Sequence, residues 1–206
     1  MSARPARYAP AANREAILEA ALEVFAEEGY VGASTRRIAA AAGIEPGHLA
    51  YYFPTKRALW QAVIEAFARD GEAVLRSVLA QHDCRPAREV LPRMLDALLR
   101  SFAANPRLTR LMLQEFSVSG ERHDWVAQSF GVPVWEILHP LFAELESEGL
   151  LSGANAAAAY MSLLGGALLA FGTRDYFLGL SGCDPTSEPE LSRYIDLLLR
   201  PLLQKA

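Results

Sequence analysis

One stretch of the chain, residues 33–58, concentrates side chains that can bind a polyanion. It holds four basic residues and one acidic residue, although the whole chain of 206 residues has a net charge of −4. Arginine can form two parallel hydrogen bonds to a phosphate or to guanine, and histidine, lysine and tyrosine can also donate hydrogen bonds. The candidate residues, including small ones that allow close approach, are Thr35, Arg36, Arg37, Pro46, Gly47, His48, Tyr51, Tyr52 and Lys56. These residue types suit contacts to the backbone and bases of a nucleic acid.

Two short helices must position these side chains. Ser34 is a suitable N-cap for one helix, and Gly43 ends that helix after about two turns. Pro46 has the favoured first position of the next helix, which runs to about Phe53. Two helices joined by a three-residue turn that begins with glycine fit a helix-turn-helix, whose second helix enters the major groove of DNA.

The rest of the chain is helical in pattern, and no segment alternates long enough to predict a strand. A helix capped by Asn13 and ended by Gly29 precedes the motif. Further helices are predicted over about 56–81, 86–103, from 106, over 122–148 with breaks at two prolines, over 154–178 as one long helix, and from about 187. We therefore predict an all-α fold of about nine helices.

Composition excludes several classes of protein. The two cysteines predict no disulfide framework and fit a reducing compartment. The first residues lack the apolar core of a signal peptide, so we expect a cytoplasmic protein. The uncharged stretch 154–173 approaches the length of a membrane span. Because it is rich in Ala and Gly and contains polar residues, we predict a buried or interface helix and no membrane association.

The segment from Arg14 to Leu59 resembles the N-terminal domain of the TetR (tetracycline repressor) family nearly throughout. Within it, LAYYFPTK is similar to regulators near the pyrimidine-utilisation repressor. The matching positions are Ile17, Leu18, Ala20, Ala21, Phe25, Gly29, Tyr30, Ile38, Ala39, Ala42, Gly43, Ile44, Gly47, Leu49, Tyr51, Phe53, Lys56 and Leu59. The resemblance implies a three-helix DNA-binding domain, residues 13–55, and a larger helical domain for effector binding and dimerisation, residues 56–206.

The resemblance also implies roles for the candidate residues. Arg36, Pro46, Gly47 and His48 would face bases, while Thr35, Tyr51, Tyr52 and Lys56 would mostly contact the DNA backbone. Arg37 opens the same helix as Arg36 and is included in the predicted interface. Two positions depart from the family pattern: Glu45 replaces the usual Ser or Thr cap, and Ala50 replaces a frequent tyrosine. One phosphate contact is therefore in question, and Tyr51 could supply it.

For the larger domain, the sequence predicts a ligand pocket and a dimer interface. Most of the large apolar residues are expected to be ordinary core, and periodicity does not show which polar residues of the helix from 106 are buried. The candidates for the pocket are Phe67, Phe102, Met112, Glu115, Phe116, Trp135, Tyr160 and Phe171. Dimerisation is expected through the last two helices, because the helix over 154–178 is rich in small residues and the final helix is rich in leucine.

Other chemistry is not supported by the sequence. His82 and Cys84 have no further Cys or His close in sequence, so no metal site is predicted. Ser119, His123 and Asp124 have the residue types of a catalytic triad, but no G-x-S-x-G turn accompanies them. We therefore expect a homodimeric regulator, a repressor of operator DNA released by an unknown small molecule, without cofactor or enzymatic activity. A helical small-molecule-binding protein that keeps the motif only as scaffold, and a helical enzyme, stay open as alternatives.

Overall fold

The structure, a computed structural model, describes residues 10–82, 85–151 and 155–200, and these residues form an all-α fold without a β-strand. Ala127–Gly131 forms a π-helical turn. The α-helices are α1 (Pro10–Gly32), α2 (Thr35–Ala41), α3 (Pro46–Tyr52), α4 (Lys56–Gln81), α5 (Ala87–Ala104), α6 (Pro106–Phe116), α7 (Glu121–Val126), α8 (Val132–Ser147), α9 (Ala156–Gly172), α10 (Arg174–Ser181) and α11 (Glu190–Leu199). The predicted all-α class is confirmed.

The chain divides into two compact units, one up to Ile64 and the other from Glu65 onward. The division therefore lies inside α4, whereas the sequence placed it at the start of that helix. Leu59 and Trp60, in the first turns of α4, are fully buried, and the Trp60 ring meets the Tyr30 ring edge-on at 5.8 Å. The beginning of α4 thus contributes to the core of the N-terminal unit.

The core of the N-terminal unit follows the predicted apolar periodicity. Phe25, Ile38, Leu49 and Phe53 are all buried, as expected for residues that hold three short helices together. The first helix differs at its start, because α1 begins at Pro10 and contains Asn13, which is therefore not its N-cap. At its other end the expected glycine interrupts the helix with φ 68°.

In the C-terminal unit, α6 packs closely against α9. A Cβ at Gly172 would lie 3.2 Å from the Cα of Arg110, so the absence of a side chain allows the two backbones to approach. Arg110 Nε also donates a hydrogen bond to the carbonyl of Gly172, at 3.0 Å. This bond satisfies an acceptor that the end of α9 would otherwise leave open.

The predicted single helix over 154–178 is wrong in one respect, because it bends by 83° between α9 and α10. Thr173 at the bend has φ −112° and ψ 40°, outside the helical region. The next residue, Arg174, donates hydrogen bonds to Asp184 in the following loop, including Nε to Oδ1 at 2.9 Å. Close packing at Gly172 and this anchor together redirect the chain.

The two predicted breaks near prolines have different outcomes. Pro133 lies in the first turn of α8, directly after the π-helical turn, and the chain stays helical on both sides of it. Pro140 lies inside α8, which nevertheless continues to Ser147. No single helix within the described residues has the length and apolar character to span a membrane, and α9 and α10 meet that test only as a bent pair.

Candidate functional site

The turn of the helix-turn-helix is closed by two backbone hydrogen bonds. Ile44 N donates to Ala39 O at 3.0 Å, and Gly43 N donates to Ala40 O at 3.1 Å, the pattern of a Schellman motif. Gly43 has φ 67°, and a Cβ there would meet no atom within 4 Å. Glycine is favoured here by its backbone conformation rather than by lack of space.

The exposed face of α3 carries a cluster of rings. Tyr51 is 81% exposed, and its ring meets Tyr52 edge-on at a centroid distance of 5.5 Å. His48 lies 5.4 Å from Tyr52, so the three rings form one continuous group. Pro46 and Gly47, in the first turn of α3, are exposed. This end of α3 can therefore approach another surface closely, with polar ring atoms beside it.

Glu45, the N-cap of α3, is exposed, and its side chain makes no capping hydrogen bond to the helix. A serine or threonine at this position would satisfy an amide of the first turn. The presence of Glu45 instead of Ser or Thr therefore also means that α3 has no side-chain cap from this position. It places a negative charge at the front of the helix that carries the ring cluster.

Helix α2 presents its arginines differently. Thr35 and Arg36 are exposed in its first turn, which Ser34 caps by accepting a hydrogen bond from Arg37 N at 3.2 Å. The Arg37 guanidinium instead forms ion pairs with Glu27 at 3.2 Å and Glu28 at 2.9 Å on α1. Two adjacent arginines of equal appearance in the sequence are thus in different surroundings.

Lys56 lies within the N-terminal unit as a structural contact. Its ammonium donates to the carbonyls of Tyr30 at 2.8 Å, Val31 at 3.4 Å and Ala33 at 2.9 Å. It also lies 4.5 Å from the centroid of the Tyr30 ring, a cation–π geometry. These contacts hold the segment between α1 and α2, and they occupy the donors that the sequence assigned to DNA phosphate.

The C-terminal unit contains a cavity of about 430 Å³ between α7, α8 and α9, with Phe116 at the end of α6 contributing to its wall. The side chains of its wall that carry hydrogen-bonding atoms are those of His123, Trp135 and Tyr160. The residues that line it are Phe116, His123, Ala127, Gly131, Val132, Trp135, Ala157, Tyr160, Met161, Leu164, Gly165 and Leu168. Trp135 and Tyr160 lie 5.1 Å apart between ring centroids. Burial raises the pKa of Tyr160 to about 12, so its hydroxyl keeps its proton at neutral pH.

Three of the predicted pocket residues, Phe116, Trp135 and Tyr160, line this cavity, and the other five lie elsewhere. Phe67 packs against Phe102 at 6.0 Å within the apolar core. Met112 and Phe171 are fully buried, Phe171 with its ring edge-on to Tyr194. The fifth residue, Glu115, is 4% exposed, and both of its carboxylate oxygens accept hydrogen bonds from Arg122 Nε, at 3.0 and 3.3 Å.

Sequence reasoning missed most of the cavity. Tyr160, Leu164 and Leu168 repeat every four residues along α9, a spacing that places them on one face. That signal was available, but it does not distinguish a cavity wall from a packed core. His123 was considered only as a possible triad member, and its place in the wall depends on how α7 packs.

Residues 17–63 match the family described as bacterial regulatory proteins, tetR family. The N-terminal unit therefore contains a segment similar to the TetR family. The match covers α2, α3 and the turn between them, and it ends one residue before the division of the chain after Ile64.

The similar proteins include transcriptional regulators. The HTH-type transcriptional regulator RutR of Escherichia coli K12 is 45% identical over 56 residues, which are 27% of this chain and 26% of RutR. The HTH-type transcriptional repressor AcnR of Corynebacterium diphtheriae is 31% identical over 115 residues, 56% of this chain and 45% of AcnR. The chain thus spans from a quarter to less than half of the length of these relatives.

The fold is shared over nearly the whole chain. The regulator FadR from Bacillus subtilis, solved in complex with stearoyl-CoA, superposes with a TM-score of 0.68 at 18% identity, covering 91% of this chain and 98% of FadR. At that identity the likeness establishes the fold alone. Both units of the chain therefore have counterparts in the fold of FadR.

Proposed function

We propose that this chain is a transcriptional repressor that binds a near-palindromic operator as a homodimer and is released by a small molecule. The main observation that supports this proposal is the exposed N-terminal end of α3. There Pro46 and Gly47 lie beside the rings of His48, Tyr51 and Tyr52, on a helix that follows a Schellman turn. The first residues of such a recognition helix are those that reach base edges. The name of AcnR, a transcriptional repressor, supports repression rather than activation.

Within this proposal the predicted contacts divide into two groups. Arg36, Pro46, Gly47 and His48 face bases in the major groove, while Thr35 and the two tyrosines of α3 contact phosphates. Lys56 and Arg37 serve the domain itself, because their charged groups are bound to carbonyls and to carboxylates of α1. The effective interface is therefore smaller than the set of basic residues in the sequence.

Dimerisation through the last helices is supported by their apolar surface. Side chains that a soluble monomer would bury are exposed on α9, α10 and α11, namely Met161, Leu169, Tyr176, Leu180 and Leu197. Covering such residues with a second copy removes apolar area from water. Two recognition helices would then read half-sites roughly 34–36 Å apart.

Release requires an effector that binds one arrangement of the dimer better than the other, because only a difference in affinity shifts the equilibrium. The cavity of the C-terminal unit is the proposed binding site. FadR, which shares the fold, was solved with stearoyl-CoA, so this architecture can hold a ligand.

Fluorescence anisotropy with duplexes from the promoter of the chain's own gene, at stated low salt, tests the DNA-binding part. We expect Arg36→Ala and His48→Ala to weaken binding by about tenfold to a hundredfold each, the range of a lost base contact. Arg69→Ala, an exposed arginine of the C-terminal unit, is the matched control and should bind as wild type. Circular dichroism verifies folding.

Two results would contradict the proposal. Wild-type protein that binds no duplex from that region at low salt would favour a helical binding protein that keeps the motif only as scaffold. If sedimentation showed a monomer whose mass Leu169→Glu and Leu197→Glu left unchanged, the proposed homodimer would be wrong. The prediction of a near-palindromic operator would then be wrong as well.

A further inference from the structure

We propose that the cavity between α7, α8 and α9 binds an uncharged, ring-bearing molecule that carries one hydrogen-bonding group. This inference rests on the proposed function, in which that molecule is the effector. It deepens the function by naming the chemical class of the ligand, which the family likeness leaves open. The lining, its rings and its polar groups each support it.

The lining excludes a charged ligand. None of the described residues that line the cavity is Asp, Glu, Lys or Arg. An ion placed among them would lose its hydration without gaining a partner of opposite charge, which is strongly unfavourable. Arg122, the cation next to His123 in sequence, is bound to the buried carboxylate of Glu115. A phosphate or a carboxylate would therefore meet no Lys or Arg among the described residues of the wall.

The rings of the wall favour a flat ligand. Trp135 and Tyr160 are 5.1 Å apart and inclined by 38°, and Phe116 meets His123 edge-on at 6.4 Å. Aromatic rings gain most from other rings in offset or edge-on arrangements. A flexible acyl chain would make fewer such contacts and lose more rotational freedom on binding. The volume of about 430 Å³ falls within the range of small-molecule pockets.

Three side chains of the wall can form a hydrogen bond to the ligand, those of His123, Tyr160 and Trp135, the last through its indole N–H. His123 Nδ1 is 3.1 Å from Asp124 Oδ1. This contact favours the tautomer with the proton on Nδ1, which leaves Nε2 as an acceptor for a ligand O–H or N–H. The Asp124 carboxylate beside the ring would repel an anionic ligand. The protonated Tyr160 hydroxyl can donate to a ligand oxygen.

Isothermal titration of the full-length protein at pH 7, without DNA, tests the ligand class with two probes of the same ring. The neutral probe is 2-naphthol, and the charged probe is 2-naphthoate. We expect the Kd of 2-naphthol to be lower by at least about tenfold, the cost of desolvating an unpaired charge.

A pair of adjacent variants tests the site. Ala157 and Ala158 are both exposed in the first turn of α9, but only Ala157 lines the cavity. We expect Ala157→Leu to weaken 2-naphthol binding by about tenfold or more by filling the cavity, and Ala158→Leu to leave it unchanged. Sedimentation of both variants verifies that the oligomeric state is that of wild type.

Three results would overturn the inference: no binding of 2-naphthol, 2-naphthoate binding as tightly as 2-naphthol, or equal effects of the two alanine variants. An Ala157→Leu protein that turns from dimer to monomer would also overturn it, because the cavity would then be a surface covered by a second copy. Operator release is measured separately by anisotropy. Selective binding of 2-naphthol without release would contradict the proposed effector role while leaving the ligand class intact.

Discussion

The two units of this protein carry their candidate sites in opposite ways. In the N-terminal unit the site residues lie between Thr35 and Tyr52, point outward and are polar. In the C-terminal unit the cavity wall is drawn from residues between Phe116 and Leu168, combines buried with exposed residues and is mostly apolar. A site on two adjacent helices depends on local sequence, whereas a cavity among several helices depends on how distant helices pack. Each unit also contains predicted site residues whose charged groups are bound internally, Lys56 and Arg37 in the N-terminal unit and Glu115 in the C-terminal unit.

The largest effect that separates structural from functional residues is expected at Lys56. Lys56→Met removes a charged donor from three carbonyls, and we expect the free energy of unfolding to fall by about 2–3 kcal/mol. Urea denaturation followed by circular dichroism measures it. Arg36→Met, an exposed site on α2, is the control and should change stability by less than about 0.5 kcal/mol. If Lys56→Met left the stability unchanged but reduced DNA affinity, Lys56 would be a DNA contact, as the sequence predicted.

The corresponding test in the C-terminal unit is Glu115→Gln. The substitution keeps the shape but removes the charge that pairs with Arg122, and we expect a loss of about 1–2 kcal/mol in unfolding free energy. Glu148→Gln, at an exposed position, is the control. If stability were unchanged while binding of a cavity ligand was lost, Glu115 would be a ligand contact, as the sequence proposed, and the comparison between the units would fail.

A pH-dependent test addresses the bend between α9 and α10. The Arg174 guanidinium, with help from Thr186, holds the pKa of Asp184 well below its usual range. The stabilisation is therefore complete above the unfolded pKa of about 3.9 and is lost as the pH falls through the lower folded pKa. We expect Asp184→Asn to be less stable than wild type by about 1 kcal/mol at pH 7. The difference should shrink progressively below about pH 4, and one that grew on acidification would contradict this assignment.

The smallest effect is expected at Arg37, which sharpens the contrast with its neighbour. Its ion pairs with Glu27 and Glu28 lie at the surface, so Arg37→Ala should cost less than about 1 kcal/mol in stability. Its effect on operator affinity should be under about threefold, against tenfold or more for Arg36→Ala. Anisotropy at two salt concentrations measures both. Equal losses for the two arginines would show that Arg37 leaves its partners to contact DNA.

Sequence reasoning succeeded where neighbours in the chain decide the structure. Ser34 acts through its own side-chain cap, and Gly43 and Pro46 act through their backbone preferences. All three lie at the helix ends that the pattern predicted. The all-α class and the core residues of the N-terminal unit follow from helical periodicity. The expected cap at Asn13 failed because α1 begins at Pro10.

Reasoning from pattern was weakest for large apolar residues in the C-terminal unit. Phe67 and Tyr160 have the same hydrophobic character in the sequence, yet one is in the core and the other in the cavity wall. Periodicity identifies the inner face of a helix but not what that face meets. The bend after Gly172 was also missed. It depends on the contact of Gly172 with Arg110, which is distant in the chain, and on the Arg174–Asp184 pair, which reaches across the following loop.

The sequence by itself determined the helix-turn-helix, the TetR domain and the residue types presented on α2 and α3, because caps, turns and periodicity act over a few residues. Tertiary structure alone decided which basic groups are bound within the N-terminal unit, where the cavity lies and that the described residues of its wall include no Asp, Glu, Lys or Arg. Those features arise when helices far apart in the chain are brought together. Packing then determines whether a polar atom meets a partner or an open space.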